Sequence, residues 1–526
     1  RGLVSRENAR RIAVEPMPSN DAVALLAERF GISTADSPED LAELAELCGR
    51  LPVALSVAAE RAGRDGTPRI AAVNERLRDE RNRFEALTDW ADDPLTDVRA
   101  VFSWSYHALG DDTARIFRLL GLHPHVRIAT GAAAALAGLD ERATERLLDK
   151  LTDRHLIAEI DLGWYELHDL SHAYAAELAA DDSAESEAAV SRLRSWYLQS
   201  VRNARYVYPV PRVTIPLPEP LPGTSPARFG SREQAADWFV DHFPALRSVL
   251  TAAAADGDDM TVALITPLLY RFLKFIGASR EAIDLYTVAQ ECARRTGDRE
   301  VLAVCTYFYA QCLDQVGDVD ASLAAFQRAR ELFADIDHPS GRLGVEITLG
   351  TVYAKLNRFD ESIRTQEEAL RDTDGAPGSV VALILNNLAS TYLAHGRIAE
   401  AIETAQSAID LDSGSDDFDA DVAATAYVTL GESYSADERW AEAVRSLTDG
   451  AELFHRHGNV AREILVLQLR GTAHRELGHI DAARTDWTTA LELLDQIGRE
   501  RVPAHLTAVP GTRDELLRLL DSLDAA

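Results

Sequence analysis

The sequence predicts a mainly all-α protein of several domains, interrupted by one small β-hairpin. Three observations predict it. Apolar residues recur at helical spacing along most of the chain. In the C-terminal half, six segments of one pattern follow each other at intervals of about 40 residues. A single pair of short apolar runs flanks Leu162-Gly163 and reads as paired strands. The 526 residues allow roughly three or four domains, and 46% apolar residues suffice for their cores.

Residues 1–70 read as short helices forming a compact subdomain. In "SPEDLAELAELCG", Ser37 is the expected N-cap, Pro38 takes the first helical position, and acids fill the first turn. Leu41, Leu44, Ala45 and Cys48 follow at helical spacing, and Gly49 ends the run. Pro52 opens a second helix, "PVALSVAAERAG", which Gly63 closes. Residues 71–94 are expected to be a linker. From 95 to 180, two amphipathic helices, a short helix, a longer helix and the hairpin follow one another, the order of a winged helix. Residues 181–258 are expected to be a helical connector. Seven of the twenty prolines fall between 209 and 226, so this stretch is an extended or surface-bound loop.

The repeats occupy 259–498. Their anchors are Gly277, Gly317, Asn357, Gly396, Glu438 and Gly478, and residues 499–526 supply a capping helix. In one repeat the pattern is Ala389, Tyr392, Gly396, Ala401, Ala405 and Ala408. Small residues let paired helices approach, and bulky ones fill the next unit. The pattern resembles the tetratricopeptide repeat, although the usual period is about 34. That resemblance implies a right-handed superhelix whose concave groove holds a protein or peptide. In the family register, Arg271, Lys274, Gln311, Lys355, Asn386, Asn387 and Arg475 face the groove. Asn387 is the strongest candidate for gripping a peptide backbone.

Charge and composition exclude several functions. A net charge of −31 argues against direct nucleic-acid or membrane binding, both of which need a basic face. The expected recognition helix, "DERATERLLDKLTDRHL", mixes five acids with four bases and offers phosphates little. No run of 18 apolar residues spans a membrane, and the start has no secretory core. The chain begins with Arg, and its two methionines are Met17 and Met260; the expectation is a piece of a longer protein. Cys48, Cys292, Cys305 and Cys312 show neither metal spacing nor a disulfide framework. Buried thiols in a reducing cytoplasm fit them. The three lysines, Lys150, Lys274 and Lys355, follow Asp149, Leu273 and Ala354, so no glycine-lysine phosphate loop exists in the chain.

The order of motifs adds a second resemblance. "CGRLPVAL" precedes the winged helix, which ends in "LHD", Leu167-His168-Asp169, and repeats follow. "VFSWSYHAL", "RIFRLLGLHP" and "LHDLSHAYAAELA" point the same way. The chain resembles the NB-ARC or STAND signal-transduction NTPases, and among them the large Streptomyces antibiotic regulatory proteins. The resemblance implies that "GRLP" is a GLPL-type motif in a helical lid and "LHD" an MHD-type motif in the winged helix. In the intact parent, Pro52 would pack on adenine and His168 would meet the β-phosphate of ADP. Arg50 and Leu167 depart from the family pattern. The phosphate loop and magnesium-binding acid would lie before Arg1.

Magnitudes limit what the remnant does alone. A charged hydrogen bond from His168 contributes about 1.5–3 kcal/mol. Adenine packing on Pro52 adds ~1–2 kcal/mol. Micromolar binding needs about 8 kcal/mol. No enzymatic activity and no resident cofactor are therefore expected of this chain; ADP or ATP with magnesium belongs to the intact parent. The expected partners are a peptide or protein in the groove, together with upstream nucleotide-binding and effector domains. The expected role is the sensing and relaying part of a transcriptional regulator. The alternative is a stand-alone repeat adaptor whose winged helix is only structural.

Overall fold

The structure is a computed structural model that describes residues 17–33, 37–50, 52–63, 70–78, 103, 105–206, 213, 215–276, 278–373, 375–413, 420–499 and 512–524. The chain forms two compact units. One comprises the chain up to Ala204 together with Pro218–Ala255, and the other comprises Arg205–Leu217 and the chain from Asp256.

The first unit starts with helices α1 (Ser19–Phe30), α2 (Pro38–Leu47), α3 (Pro52–Gly63) and α4 (Ile70–Arg78). Leu26, Leu41, Leu44, Leu55 and Leu77 meet in their buried core. Ser37 precedes α2 as expected, but its side chain makes no capping bond. The expected linker opens differently: Ile70, Asn74 and Leu77 lie on one face of α4 and are buried. Asn74 Nδ2 donates to the Asp40 carbonyl at 2.9 Å and to Glu43 at 3.2 Å, fastening α4 to α2. Residues 79–94 of that linker lie outside the described residues.

Next come α5 (Asp111–Leu120), β1 (Arg127–Ala129), α6 (Thr130–Ala137), α7 (Glu141–Asp153), β2 (Ala158–Asp161), β3 (Trp164–Glu166) and α8 (Asp169–Ala179). From the second expected amphipathic helix onward these elements follow the order read from the sequence; residues 95–102 and 104, where the first was expected, lie outside the described residues. The hairpin turns at Gly163, whose φ is +73°. The sheet has three strands in the order β1-β3-β2, with Ile128 and Glu159 both opposite Tyr165. Sequence reasoning missed β1 because three residues are too few to show alternation. Asp140 caps α7 by accepting the Ala143 N–H at 2.8 Å.

Helices α9 (Ser183–Tyr206) and α10 (Arg232–Ala255) flank the proline-rich stretch. From Pro218 onward that stretch is bound to α9. Gln199 Nε2 donates to the Pro218 carbonyl at 2.6 Å, and Trp196 Nε1 to the Ser225 carbonyl at 2.9 Å. Residues 207–212 and 214 lie outside the described residues.

The second unit is a stack of helix pairs. It runs through α11 (Asp259–Leu268) and α12 (Tyr270–Phe275) with α13 (Ser279–Thr296), then α14 (Arg299–Gln315) with α15 (Val319–Asp335). Next are α16 (Pro339–Lys355) with α17 (Phe359–Arg371), and α18 (Gly378–Ala394) with α19 (Ile398–Ser413). Then come α20 (Ala420–Ala436) with α21 (Trp440–Arg456), α22 (Val460–Glu476) with α23 (Ile480–Arg499), and α24 (Thr512–Asp524). The first helices of the pairs, α14, α16, α18, α20 and α22, each have 17 residues, so the long period resides in longer helices.

The anchors prove to be helix stops. Gly317, Asn357, Gly396, Glu438 and Gly478 all have φ between +58° and +82°. At each, the next N–H reaches back to a carbonyl five residues earlier, as in Arg397 N to Tyr392 O at 2.8 Å. Gly277 lies outside the described residues. Three consecutive stops add a clasp. Arg358, Arg397 and Arg439 lie over Tyr353, Tyr392 and Tyr434 at 4.7, 4.4 and 4.5 Å, and each also pairs with a glutamate three residues on. Ala389, Ala401, Ala405 and Ala408 are fully buried, as the packing argument requires. Leu516 and Leu523 of α24 join Trp487 in the terminal core.

Candidate functional site

The first site is built on the turn after α2. Gly49 and Arg50 both adopt left-handed backbone, with φ of +60° and +56°. The Arg50 N–H bonds back to the Ala45 carbonyl at 2.9 Å, and the Met17 N–H to the Arg50 carbonyl at 3.1 Å. This geometry turns the Gly49 carbonyl outward. His168 Nε2 meets it at 2.8 Å, across 119 residues of sequence.

His168 is held in place by its other nitrogen. It is the N-cap of α8, and its Nδ1 accepts the Leu170 N–H at 3.2 Å. Nδ1 is therefore the unprotonated nitrogen, and Nε2 carries the hydrogen donated to Gly49. The approach is close: a Cβ on residue 49 would sit 1.6 Å from the imidazole Cε1. Cys48 and Leu167 are buried beside this contact, and Pro52 is exposed at the first turn of α3. Leu51 lies outside the described residues.

Of the two residues named from the resemblance, His168 thus meets Gly49, on the turn that precedes Pro52 in the sequence. In this arrangement both His168 nitrogens are committed within the protein, so the ring has no free donor for a phosphate. Pro52 is exposed. The direct bond between His168 and Gly49 escaped sequence reasoning. A glycine next to a motif proline was the available signal.

The second site is the face formed by the first helices of the repeats. Polar side chains there bond to the equivalent helix one repeat away. Tyr270 OH donates to Gln311 at 3.1 Å and Gln315 donates to Tyr270 OH at 2.6 Å, while within α14 Gln311 donates to Tyr307 OH at 2.8 Å. Lys355 Nζ bonds both Asp314 oxygens, at 2.6 and 2.7 Å. Thr429 donates to Asn386 Oδ1 at 2.9 Å, and Asn386 is buried. Arg475 pairs with Glu476 at 2.8 Å and lies 5.9 Å from the Trp487 ring centroid.

This alters the standing of several expected groove residues. Gln311, Lys355 and Asn386 tie neighbouring repeats together, and Arg475 is held locally. Arg271 and Lys274 are exposed, Asn387 is half-buried, and their side chains have no hydrogen-bonding or ion-pairing partner among the described residues. Lys274 is exposed and yet its pKa is lowered, first by the protein surrounding it, then by the charges of Arg271 and Arg462, and more weakly by that of Lys355. Asp314 opposes this. Sequence reasoning missed Asp314, Glu432 and Arg462. For Asp314 the signal was its spacing from the stop: it sits three residues before Gly317, the place Lys274 holds before Gly277.

All four cysteines are free and buried. Burial pushes the Cys312 thiol up to about 12. Among the described residues no His, Cys, Asp and Glu group could hold a metal ion, and no helix is long and apolar enough to cross a membrane.

A family model described as tetratricopeptide repeat matches residues 343–413, from α16 to the end of α19. The chain is 26% identical over 547 residues to the regulatory protein AfsR of Streptomyces griseus, a match covering 95% of the chain and 54% of that protein. It is 29% identical over 440 residues to the regulatory protein AfsR of Streptomyces coelicolor, covering 77% and 41%. The chain thus spans about half the length of the curated relatives it matches. Among solved structures, a signal-transduction ATPase with numerous domains and a tetratricopeptide-repeat sensor, from Pyrococcus horikoshii, overlaps 100% of this chain and 72% of its own. That overlap has a TM-score of 0.40 and 14% identity. The chain carries tetratricopeptide repeats and is similar along most of its length to regulatory proteins.

Proposed function

We propose that this chain is the sensing and relaying part of a STAND-type transcriptional regulator. The repeats take a protein or peptide signal. The lid, α1–α4, and the winged helix, α5–α8, pass the nucleotide state of an upstream domain to an N-terminal effector. The observation that carries the reading is the hydrogen bond from His168 to Gly49. It joins the two motifs that the family uses around ADP, in a chain similar to regulators over 95% of its length.

In this reading the nucleotide, ADP or ATP with magnesium, belongs to the whole regulator, and this chain is not an enzyme. The winged helix does not read DNA, because α7 presents acids and bases in near balance. The chain acts in the cytoplasm. The test is nucleotide titration of two proteins, this chain and the product of the whole reading frame. Tight ADP binding by the longer protein alone supports the reading. A frame with no phosphate loop before Arg1, or equal binding by both, overturns it. The commitment of both His168 nitrogens within the protein favours a second reading, in which the winged helix is structural and the chain a repeat adaptor.

A further inference from the structure

The second helices of two neighbouring repeats, α19 and α21, border a cavity of about 260 Å³, with α20 between them. Ile409, Ala423 and Leu453 line its buried part, beside the half-buried Tyr427. Counting from the helix stops shows why space opens here. Ile409 follows Gly396 by thirteen residues, and Ala423 and Tyr427 precede Glu438 by fifteen and eleven. Two repeats earlier the same three positions hold Arg330, Arg342 and Glu346, and Arg330 pairs with Glu346 at 3.8 Å. One repeat later Glu463 stands in the place of Ala423, buried and bonded to His455 at 2.9 Å. A methyl group where these repeats carry long side chains leaves the space unfilled. Tyr427 lies about 200° round α20 from Thr429, whose hydroxyl bonds to Asn386. The cavity is therefore apart from the face formed by the first helices.

The exposed rim carries charges of both signs, from Asp449, Glu452 and Arg456 of α21. Arg456 Nε donates to the Glu452 backbone carbonyl at 3.3 Å, not to its carboxylate. None of the three has an ion pair among the described residues. The protein around Asp449 and the charge of Glu452 push the Asp449 carboxyl up, as two like charges without a counterion should. The Tyr427 phenol has no hydrogen-bonding partner among the described residues, and burial together with the charges of Asp449 and Asp410 pushes it up too. The rim thus offers two carboxylates to a cation and one guanidinium to an anion, over an apolar floor.

We infer that this cavity binds a free amino acid with a large apolar side chain. Its ammonium goes to Asp449 and Glu452, its carboxylate to Arg456, and its side chain to Ile409, Ala423 and Leu453. Charge complementarity selects the occupant: a simple amine leaves Arg456 unpaired, and a simple acid leaves both carboxylates unpaired. An ammonium has three donors, enough for the two carboxylates and the Tyr427 phenol. A guanidinium meets a carboxylate through two parallel hydrogen bonds. The volume is just under the roughly 300–1,000 Å³ of ordinary small-molecule sites, which favours a small ligand. The inference goes beyond the reading of the repeats as a protein- or peptide-binding arm and does not depend on it. A ligand seated here touches α19, α20 and α21 together, and so fastens one repeat to the next.

The experiment is titration calorimetry of the full chain with L-leucine and L-phenylalanine, each compared with its decarboxylated amine and its N-acetyl derivative. Each amino acid should bind more tightly than both of its analogues, by about fivefold or more. R456Q should weaken the amino acids by a similar factor and leave the amines unchanged. D449N/E452Q should weaken the amino acids and the amines and spare the N-acetyl derivatives. These three side chains are exposed, so the thermal unfolding curve should not move in either variant. A423R, which installs the residue found two repeats earlier, should abolish binding; residue 423 is buried, so the two charge variants carry the test if A423R does not fold. No binding of either amino acid at millimolar concentration overturns the inference, as does unchanged affinity in both charge variants. A peptide with a free N-terminal leucine that binds more tightly than leucine itself overturns the free-ligand assignment in favour of a partner's chain end.

Discussion

At the scale of single residues, Gly49 is required twice over: by its positive φ and by the imidazole packed on it. Gly49→Ala must strain the backbone and push His168 away. We expect it to destabilise the first unit by about 1–3 kcal/mol, read as a shift in the urea midpoint. His168 has two separable jobs. His168→Ala removes both the cap of α8 and the bond to Gly49, and should cost about 1–2 kcal/mol. His168→Asn keeps a capping oxygen but is too short to reach Gly49. It should recover most of the stability while leaving α1–α4 more open to protease. Equal protease sensitivity in His168→Asn and the parent chain would refute a role of the bond to Gly49 in holding those helices. How much of this is legible in the sequence depends on the residue. Pro52 and His168 stand out by their motifs. The bond joining residue 168 to residue 49 is a fact of tertiary geometry, and no local pattern encodes it.

At the scale of elements, two kinds of glycine in the repeats should behave differently. Gly396 ends α18 with φ +80° and has open space where a Cβ would go. Gly396→Ala should cost about 1 kcal/mol through the backbone alone. Gly471 lies inside α22, where a Cβ would meet the Trp487 indole Nε1 at 2.4 Å. Gly471→Ala should cost about 1–3 kcal/mol by overpacking and should shift Trp487 emission, which Gly396→Ala should not. The repeat register was legible because each stop needs a residue that tolerates left-handed backbone. Asn357 and Glu438 fill that role without being glycine, and it was their place in the period that revealed them. The polar ladder was not legible. Gln311, Lys355 and Asn386 occupy groove positions by count, but a neighbouring repeat's helix, the preceding one for Gln311 and Lys355 and the following one for Asn386, comes close enough to take their hydrogen bonds. That distance depends on the angle between repeats, which one repeat's sequence does not contain.

At the scale of the whole molecule, the two units should respond to different stresses. In the first, burial holds His123 and His242 down to about 3 and about 4, against an ordinary value of 6.5. The unfolded chain takes up those protons first as pH falls. Stability from these groups is therefore full above about pH 6.5 and is lost progressively toward their folded values, by at most about 3 kcal/mol for His242. His242 stacks on Trp238 with ring centroids 4.4 Å apart. His242→Phe should keep that stacking and flatten the loss of stability between about pH 7 and about pH 5, followed by tryptophan fluorescence. In the second unit each repeat leans chiefly on its neighbours. The pair Leu516→Ala and Leu523→Ala uncovers Trp487, and should speed hydrogen exchange in α22 and α23 while leaving α14 to α16 unchanged. A uniform change along the array would contradict nearest-neighbour stability.

The clasps of Arg358, Arg397 and Arg439 over Tyr353, Tyr392 and Tyr434 each span the turn between the two helices of a pair, and each arginine is held from the far side by a glutamate of the second helix. A turn fastened on both sides hands a displacement of one helix directly to its partner, so in these three pairs the two helices should move as a single piece.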